Sequence, residues 1–175
     1  LSERRKTLKS EFEKYIGRYS ADLTRLCVSL CGNFSDAEDL FQESWLKALR
    51  HYKKYDESKP FDKWLYSICV NTYKNSVNTA FFKKRRLFQS DEEERAFFEC
   101  IPQYDEEKDD YTQLYKAISS LSKKHRIVIV LYYFKDYSID EISQIINVPT
   151  GTVKSRLSYA RTQIKRRLLN EQEDK

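Results

Sequence analysis

The side chains best equipped for chemistry lie between Tyr137 and Leu168, in the run YSIDEISQIINVPTGTVKSRLSYARTQIKRRL. Thr150, Thr152, Lys154, Ser155, Arg156, Ser158, Tyr159, Arg161 and Lys165 bring hydroxyls and cations with no carboxylate among them. Such a set recognises a polyanion: cations pair with phosphates, while hydroxyls and guanidinium forks reach base edges in the major groove. A helix must hold these groups on one face, and Val153, Leu157, Ala160, Ile164 and Leu168 supply a buried stripe for the other, with Thr150 as a candidate cap. Before it, Ser138 and Glu141 form a capping-box pattern and Ile139, Ile142, Ile145 and Ile146 recur at helical spacing. Asn147 can take the left-handed backbone that ends such a helix, and Val148 and Pro149 lead out of the turn. Two helices and a short turn with a basic second face predict a DNA-reading helix-turn-helix. The plainer reading is an amphipathic surface helix with solvated lysines, and small polar residues followed by bases at the helix start count against it.

A second set follows the loop-like segment YDESKP, residues 55–60, where Pro60 favours a new helix beginning near Phe61. Trp64, Leu65, Ile68, Cys69, Thr72, Val77 and Phe81 are its candidates for burial. Tyr66, Asn71, Tyr73, Lys74, Asn75 and Asn78 lie among them or outside, ahead of the basic group Lys83, Lys84, Arg85 and Arg86. Rings that stack on unpaired bases, amides that read edges and cations that follow the backbone suit single-stranded DNA. The loop from Tyr55 to Phe61 offers a pocket for a base held out of the stack. Aromatics in a core beside a solvated basic end explain the pattern equally well.

A third set, Asp39, Gln42, Glu43 and Leu46, shares one face of the helix that Ser35 and Glu38 open as a second capping box and that runs to about Tyr55. Leu40, Phe41, Trp45, Ala48, Leu49 and Tyr52 form its expected buried face. The polar face suits a basic partner helix, although composition alone favours a solvated acidic surface.

Three glycines and three prolines in 175 residues disfavour a sheet protein, so the expected fold is all-α. Residues 7–33 carry apolar positions at spacings of three and four, with Gly17 a candidate break and Gly32 and Asn33 a stop. Near the other end, Leu114, Ala117, Ile118 and Leu121 make a short amphipathic helix, and IVIVLYYF, residues 127–134, reads as the central helix of a small bundle despite its β-branched content.

The net charge of +5 is unevenly distributed. Residues 1–87 carry +7, residues 88–112 carry −8, residues 113–170 carry +8 and the tail 171–175 carries −2. Two basic helical domains, 1–87 and 113–170, are therefore expected on either side of a flexible acidic linker, 88–112, in which Phe97, Phe98 and Ile101 form a candidate docking spot. No stretch is apolar enough to span a bilayer and no signal-peptide pattern opens the chain, so membrane insertion is not expected and a cytoplasmic location is. Cys27, Cys31, Cys69 and Cys100 lack metal-type spacing and read as buried free thiols. His51 and His125 stand alone and no phosphate-binding glycine loop occurs, so neither an enzyme nor a bound metal or cofactor is expected.

DAEDLFQESWLKAL and FDKWLYSICVNTYKN resemble region 2 of the sigma-70 family, and LSKKHRIVIVLYYF with SIDEISQIINVPTGTVKSRLSYAR resembles its region 4. Lacking a substantial region 3 and an N-terminal inhibitory region, the chain is similar to the extracytoplasmic-function group. The resemblance implies an initiation factor that binds core RNA polymerase and directs it to promoters. Asp39, Gln42, Glu43 and Leu46 would dock on the clamp helices of the largest polymerase subunit, and the region-4 domain on the flap of the second-largest. Tyr55, Lys59, Phe61, Trp64, Asn71, Lys74, Asn75, Asn78, Lys83, Lys84, Arg85 and Arg86 would melt and capture the minus-ten element as single strand. The helix carrying Thr152 would enter the minus-thirty-five duplex, and the acidic linker would thread near the RNA path. An anti-sigma factor is the group's usual further partner. Ser122, Ser143 and Asn147 stand where the family commonly has Pro, Ala and Gly, and Asn75 and Asn78 where it has Asp and a basic residue, which bears on the minus-ten preference. The competing reading is a stand-alone helix-turn-helix regulator, for which no dimerisation heptad is evident.

Overall fold

In a computed structural model of the protein, the described backbone comprises residues 2–75 and 108–173, with side chains described over 11–75 and 113–170. Among these residues all regular structure is helical. Helix α1, Ser2–Cys31, buries Phe12, Leu23, Leu26, Cys27 and Leu30 along one side. It passes through Gly17 unbroken, because a glycine on an exposed helix face costs only about 1 kcal/mol of propensity, less than the packing on either side supplies. Gly32 then stops it in the left-handed region, φ 75°, donating its N–H to the Val28 carbonyl at 3.0 Å.

Helix α2, Phe34–His51, starts earlier than the Ser35/Glu38 pattern implies. Asn33 is the cap: its side-chain oxygen accepts from the Asp36 N–H and its amide donates to the Asp36 carboxylate, both at 2.8 Å. Extended backbone at Asn33, placed directly after the left-handed glycine, lets this buried reciprocal pair form first. A 3-10 turn, Tyr52–Lys54, closes the helix three residues after His51, and α3 runs Phe61–Asn75. An aromatic cluster binds the three helices: Phe61 stacks on Tyr15 at 3.9 Å between ring centres, and Phe12 meets Trp45 edge-on at 5.7 Å. Such pairs add roughly 0.5–1.5 kcal/mol each beyond area burial. The Cys27 and Cys69 sulfurs lie 3.7 Å apart between α1 and α3, and burial raises the Cys27 thiol far above its ordinary range, so it stays an inert core thiol. Cys31 is likewise buried and free, and Cys100 falls outside the described residues.

In the second block, α4 spans Lys108–Ser119, taking in the last five residues of the acidic stretch, and α5 spans Lys123–Ile129. The latter continues as a π-helical turn, Val130–Phe134. Residues 127–131 are buried throughout, which is why a run with strand-like composition settles as the bundle's central helix. Helices α6, Ile139–Ile146, and α7, Thr150–Glu173, form the helix-turn-helix. The Ser138/Glu141 box is present in full, with Glu141 accepting from the Ser138 N–H at 2.8 Å. Asn147 takes the left-handed conformation, φ 52° and ψ 58°. Thr150 is the first helical residue of α7 rather than its cap; the Pro149 carbonyl receives the Thr152 and Val153 N–H groups at 2.9 and 3.2 Å. Val153, Leu157 and Ala160 are buried, whereas Ile164 and Leu168 are only half-buried as α7 leaves the bundle.

The two blocks share a continuous core and pack through α3 against α6 and through the end of α1 against α5. Polar bonds follow the same seam, including an ion pair between Lys63 of α3 and Glu141 of α6. Lys63 and then the Ser138 N–H and hydroxyl hold the Glu141 carboxyl down to about 2, from an ordinary 4.5. A depressed carboxylate stabilises the fold fully above its unfolded value and loses that contribution as pH falls through the folded one. In thermal melts, Glu141→Gln should therefore lower the midpoint at pH 7, and the gap to the wild type should close between about pH 4.5 and 2. A gap that is constant over this range would remove Glu141 from the stabilising network.

Candidate nucleic-acid interface

None of the nine α7 residues that the sequence nominates for duplex reading is buried, although they spread from the side opposite Val153, Leu157 and Ala160 round to its flanks. Lys154, Ser155, Ser158, Tyr159, Arg161 and Lys165 are exposed, and Thr150, Thr152 and Arg156 are half-exposed. The turn before them is tied down: Ser143 donates its hydroxyl to the Val148 carbonyl at 2.6 Å, while the Val148 N–H donates to the Ser143 carbonyl at 3.1 Å. A serine at this position thus closes the turn with a bond that an alanine could not make.

Two members of the face are not free rotors. Arg161 donates from Nε to the Tyr133 hydroxyl at 2.8 Å, and its guanidinium lies over the Tyr132 and Tyr133 rings at 5.4 and 5.5 Å. Tyr159 stacks on His125 with ring centres 4.4 Å apart, and His125 Nδ1 shares a 2.9 Å hydrogen bond with the Ser122 hydroxyl. Burial, then the charges of Lys124 and Arg156, lower the His125 pKa below its usual value. Tyr132, Tyr133, Ser122 and His125 therefore support the candidate face, and sequence reasoning missed them. The available signal was the phenol pair at the end of an apolar run, since a tyrosine tip at a bundle surface seeks a polar partner.

The α3 group is divided by the structure. Asn71, Lys74 and Asn75 are exposed, Lys59 is exposed in the preceding loop, and Tyr55 and Trp64 are half-buried. Phe61 is not available to stack on a base: it is 4% exposed at the centre of the aromatic cluster, within 6.5 Å of Phe12, Tyr15, Tyr19, Trp45, Tyr55 and Trp64 ring centres. Its position directly after Pro60, at the first turn of α3, points it into the core. Tyr66 and Tyr73 are core residues as well. The Tyr55 hydroxyl donates to the Lys59 carbonyl at 2.5 Å, and burial pushes its pKa up to about 12. Its ring fills the space beside Trp64 at 4.9 Å, so the loop is braced rather than hollow. Asn78, Lys83, Lys84, Arg85 and Arg86, with Val77 and Phe81, lie outside the described residues.

On α2, Asp39, Gln42 and Leu46 are exposed and Glu43 is half-exposed, pairing with Lys47 at 3.4 Å. Leu49, expected in the core, stands 54% exposed next to Leu46 at 48%. Its helical angle lies between the two faces, and Ala48 and Tyr52 already fill the core on that turn. The two leucines form an apolar ridge beside the carboxylates, which makes this face better suited to protein than to water. Among the described residues no cluster of His, Cys, Asp and Glu could hold a metal ion, and no helix is long and apolar enough to cross a membrane.

Comparison with known proteins gives this geometry a setting. The family model for Sigma-70 region 2 matches residues 15–84 and that for Sigma-70 region 4 matches residues 111–164. Over 158 residues the chain is 30% identical to the RNA polymerase sigma factor SigV of Bacillus subtilis, covering 90% of this chain and 91% of that protein. It is 29% identical over 170 residues to the ECF RNA polymerase sigma factor SigW of the same organism, covering 90% and 88%. In fold it is similar to the sigma factor RpoE of Bartonella quintana, solved with the anti-sigma factor NepR, at a TM-score of 0.67 and 21% identity over 90% of this chain and 96% of that one. CnrH, solved with the cytosolic domain of CnrY, aligns at 0.66 and 20% identity over 93% and 90%.

The stacked His125 makes the α7 support measurable. Its titration, followed by NMR, should have a midpoint below 6.5, and Tyr159→Ala, which removes the covering ring, should move that midpoint upward. A midpoint at or above 6.5 in the intact protein would show that Tyr159 does not cover it.

Proposed function

Because the chain belongs to the extracytoplasmic-function group of the sigma-70 family, we propose that its two helical blocks divide one promoter between them, as residues 1–87 and 113–170 on either side of an acidic linker, 88–112. The chain is an RNA polymerase sigma factor that directs promoter recognition and transcription initiation. In our reading, α7 enters the major groove of the minus-thirty-five element. Lys154, Arg156, Arg161 and Lys165 meet phosphates and base edges, and Thr152, Ser155, Ser158 and Tyr159 complete the contact. The observation that supports this reading is that none of the nine nominated residues is buried and that the preceding turn and Arg161 are held by hydrogen bonds.

Asn71, Lys74 and Asn75, with Trp64 and the Tyr55–Lys59 loop, take the minus-ten element as single strand, joined by Asn78 and the basic residues 83–86. Phe61 serves this site from beneath by fixing Trp64 and Tyr55. The α2 ridge of Leu46 and Leu49, flanked by Asp39, Gln42 and Glu43, docks on the clamp helices of the largest polymerase subunit, and the second block on the flap of the second-largest. An anti-sigma factor is a further partner, and the site of action is the cytoplasm, where polymerase and promoter meet. The protein needs no catalytic chemistry of its own, since exposed bases and polymerase contacts supply the energy of melting. A stand-alone helix-turn-helix regulator is not favoured, because it leaves the α2 ridge and the first block without a role.

Run-off transcription with core polymerase on a genomic fragment library should yield discrete initiation sites. Lys154→Ala and Arg156→Ala should each weaken binding to the upstream element by roughly 5- to 160-fold, the range of a lost DNA contact of about 1–3 kcal/mol, with polymerase affinity unchanged. Gln42→Ala with Glu43→Ala, and separately Leu49→Asp, should lower polymerase affinity instead. Tight sequence-specific binding to duplex DNA by the protein alone, with no run-off product, would overturn the reading.

A further inference from the structure

Side chains of two helices meet where the start of α5 faces the flank of α7. His125 of α5 lies against Tyr159 of α7, their rings stacked with centres 4.4 Å apart, and Tyr159 is itself 51% exposed. Ser122 stands at the N-cap of α5, yet its hydroxyl makes no capping bond to the helix. It bonds His125 Nδ1 at 2.9 Å instead, forgoing the backbone N–H that a serine usually accepts from at this position. A hydroxyl can donate to a neutral imidazole and accept from a charged one, so the bond holds the ring in place in either state. The ring is half-exposed, and among the described residues no hydrogen bond reaches Nε2. The charges that act on it among these residues are both positive, Lys124 beside it on α5 and Arg156 on α7.

An imidazole fixed at one nitrogen, open at the other and flanked by two cations is built to receive an anion. We propose that His125 is a further DNA contact: when α7 occupies the duplex, Nε2–H of His125 donates to a backbone phosphate beside the upstream element, and binding takes up a proton there. The inference deepens the proposed reading of α7 and rests on it. The anion is a duplex phosphate because Arg156 and Tyr159 belong to the set proposed to meet the groove, and a strand lying along them passes the His125 edge. In the free protein, burial and then Lys124 and Arg156 disfavour the charged ring. A phosphate at Nε2 reverses that balance, and the Tyr159 face under the ring favours imidazolium as well. Because the complex prefers the protonated ring, the added affinity is complete below the pKa of the free protein and fades as pH rises through that of the complex. Each unit by which DNA raises this pKa is worth about tenfold in affinity.

Polymerase carrying the full chain, bound to a promoter fragment recovered by run-off transcription, reports this contact. Between about pH 7.5 and about pH 6.0 the affinity of the wild type should rise roughly 3- to 10-fold more than that of His125→Gln, since the titrations of polymerase itself are common to both. His125→Arg, which keeps a stacking cation at every pH, should bind better than His125→Gln at the higher pH, with no excess pH response and a salt slope steeper by about one. His51→Gln removes the other histidine of the chain, exposed at the end of α2, and should behave as wild type. Replacing single phosphates of the upstream element by neutral methylphosphonates should reveal one linkage at which the wild type loses its excess pH response. Equal pH responses of wild type and His125→Gln, with specific promoter binding intact, overturn the inference. If no variant forms a specific promoter complex at either pH, the promoter reading itself falls and the contact with it.

Discussion

A single buried guanidinium ties helix ends of the two blocks to each other inside the core they share. Arg126 is out of water, and its guanidinium donates to carbonyls at the ends of α1 and α4, to the Leu121 carbonyl and to the Tyr73 hydroxyl. Removing one side of a buried charged contact typically costs about 3–5 kcal/mol, a large part of the roughly 5–15 kcal/mol that keeps a domain folded. The position of α5 against α1 therefore has little freedom, and α5 in turn underlies α7. The placement of α7 is thereby referenced to that charge.

The first block rests on a different kind of contact. Phe61 sits where α1, α2 and the start of α3 converge, and the rings of Tyr15, Trp45, Tyr55 and Trp64 are arranged around it. This packing leaves α2 free to turn Leu46 and Leu49 outward, because Ala48 and Tyr52 complete the core beneath them. An apolar ridge on a helix so well anchored costs the isolated protein some solubility and gives a partner a rigid target.

Local signals in the sequence were the dependable ones. The Ser138/Glu141 box and the left-handed Asn147 were legible because their partners lie within four residues, where side-chain type nearly determines the bond. The same logic fails at the start of α2, where the Ser35/Glu38 pattern matches a capping box but Asn33, read as part of the preceding stop, is the cap, set in extended backbone directly after the left-handed Gly32. Periodicity gives Leu49 an angle but not what already fills the core beside it, and the loop reading of residues 55–61 does not foresee the ring cluster that encloses Phe61. The seam was illegible for a stronger reason: Arg126 meets Leu30 across 96 residues of sequence, and nothing in KKHRIV distinguishes a clasp from a solvated base.

The π-helical turn at Val130–Phe134 widens the end of α5 and leaves Tyr133 52% exposed, facing Arg161. The candidate α7 face thus has a second layer that belongs to a different helix. Transplanting α7 alone into a related scaffold would carry the letters without the backing that orients them. The α7 face and the end of α5 form one unit, and an exchange of the outer helix alone would leave Arg161 without its phenol partners.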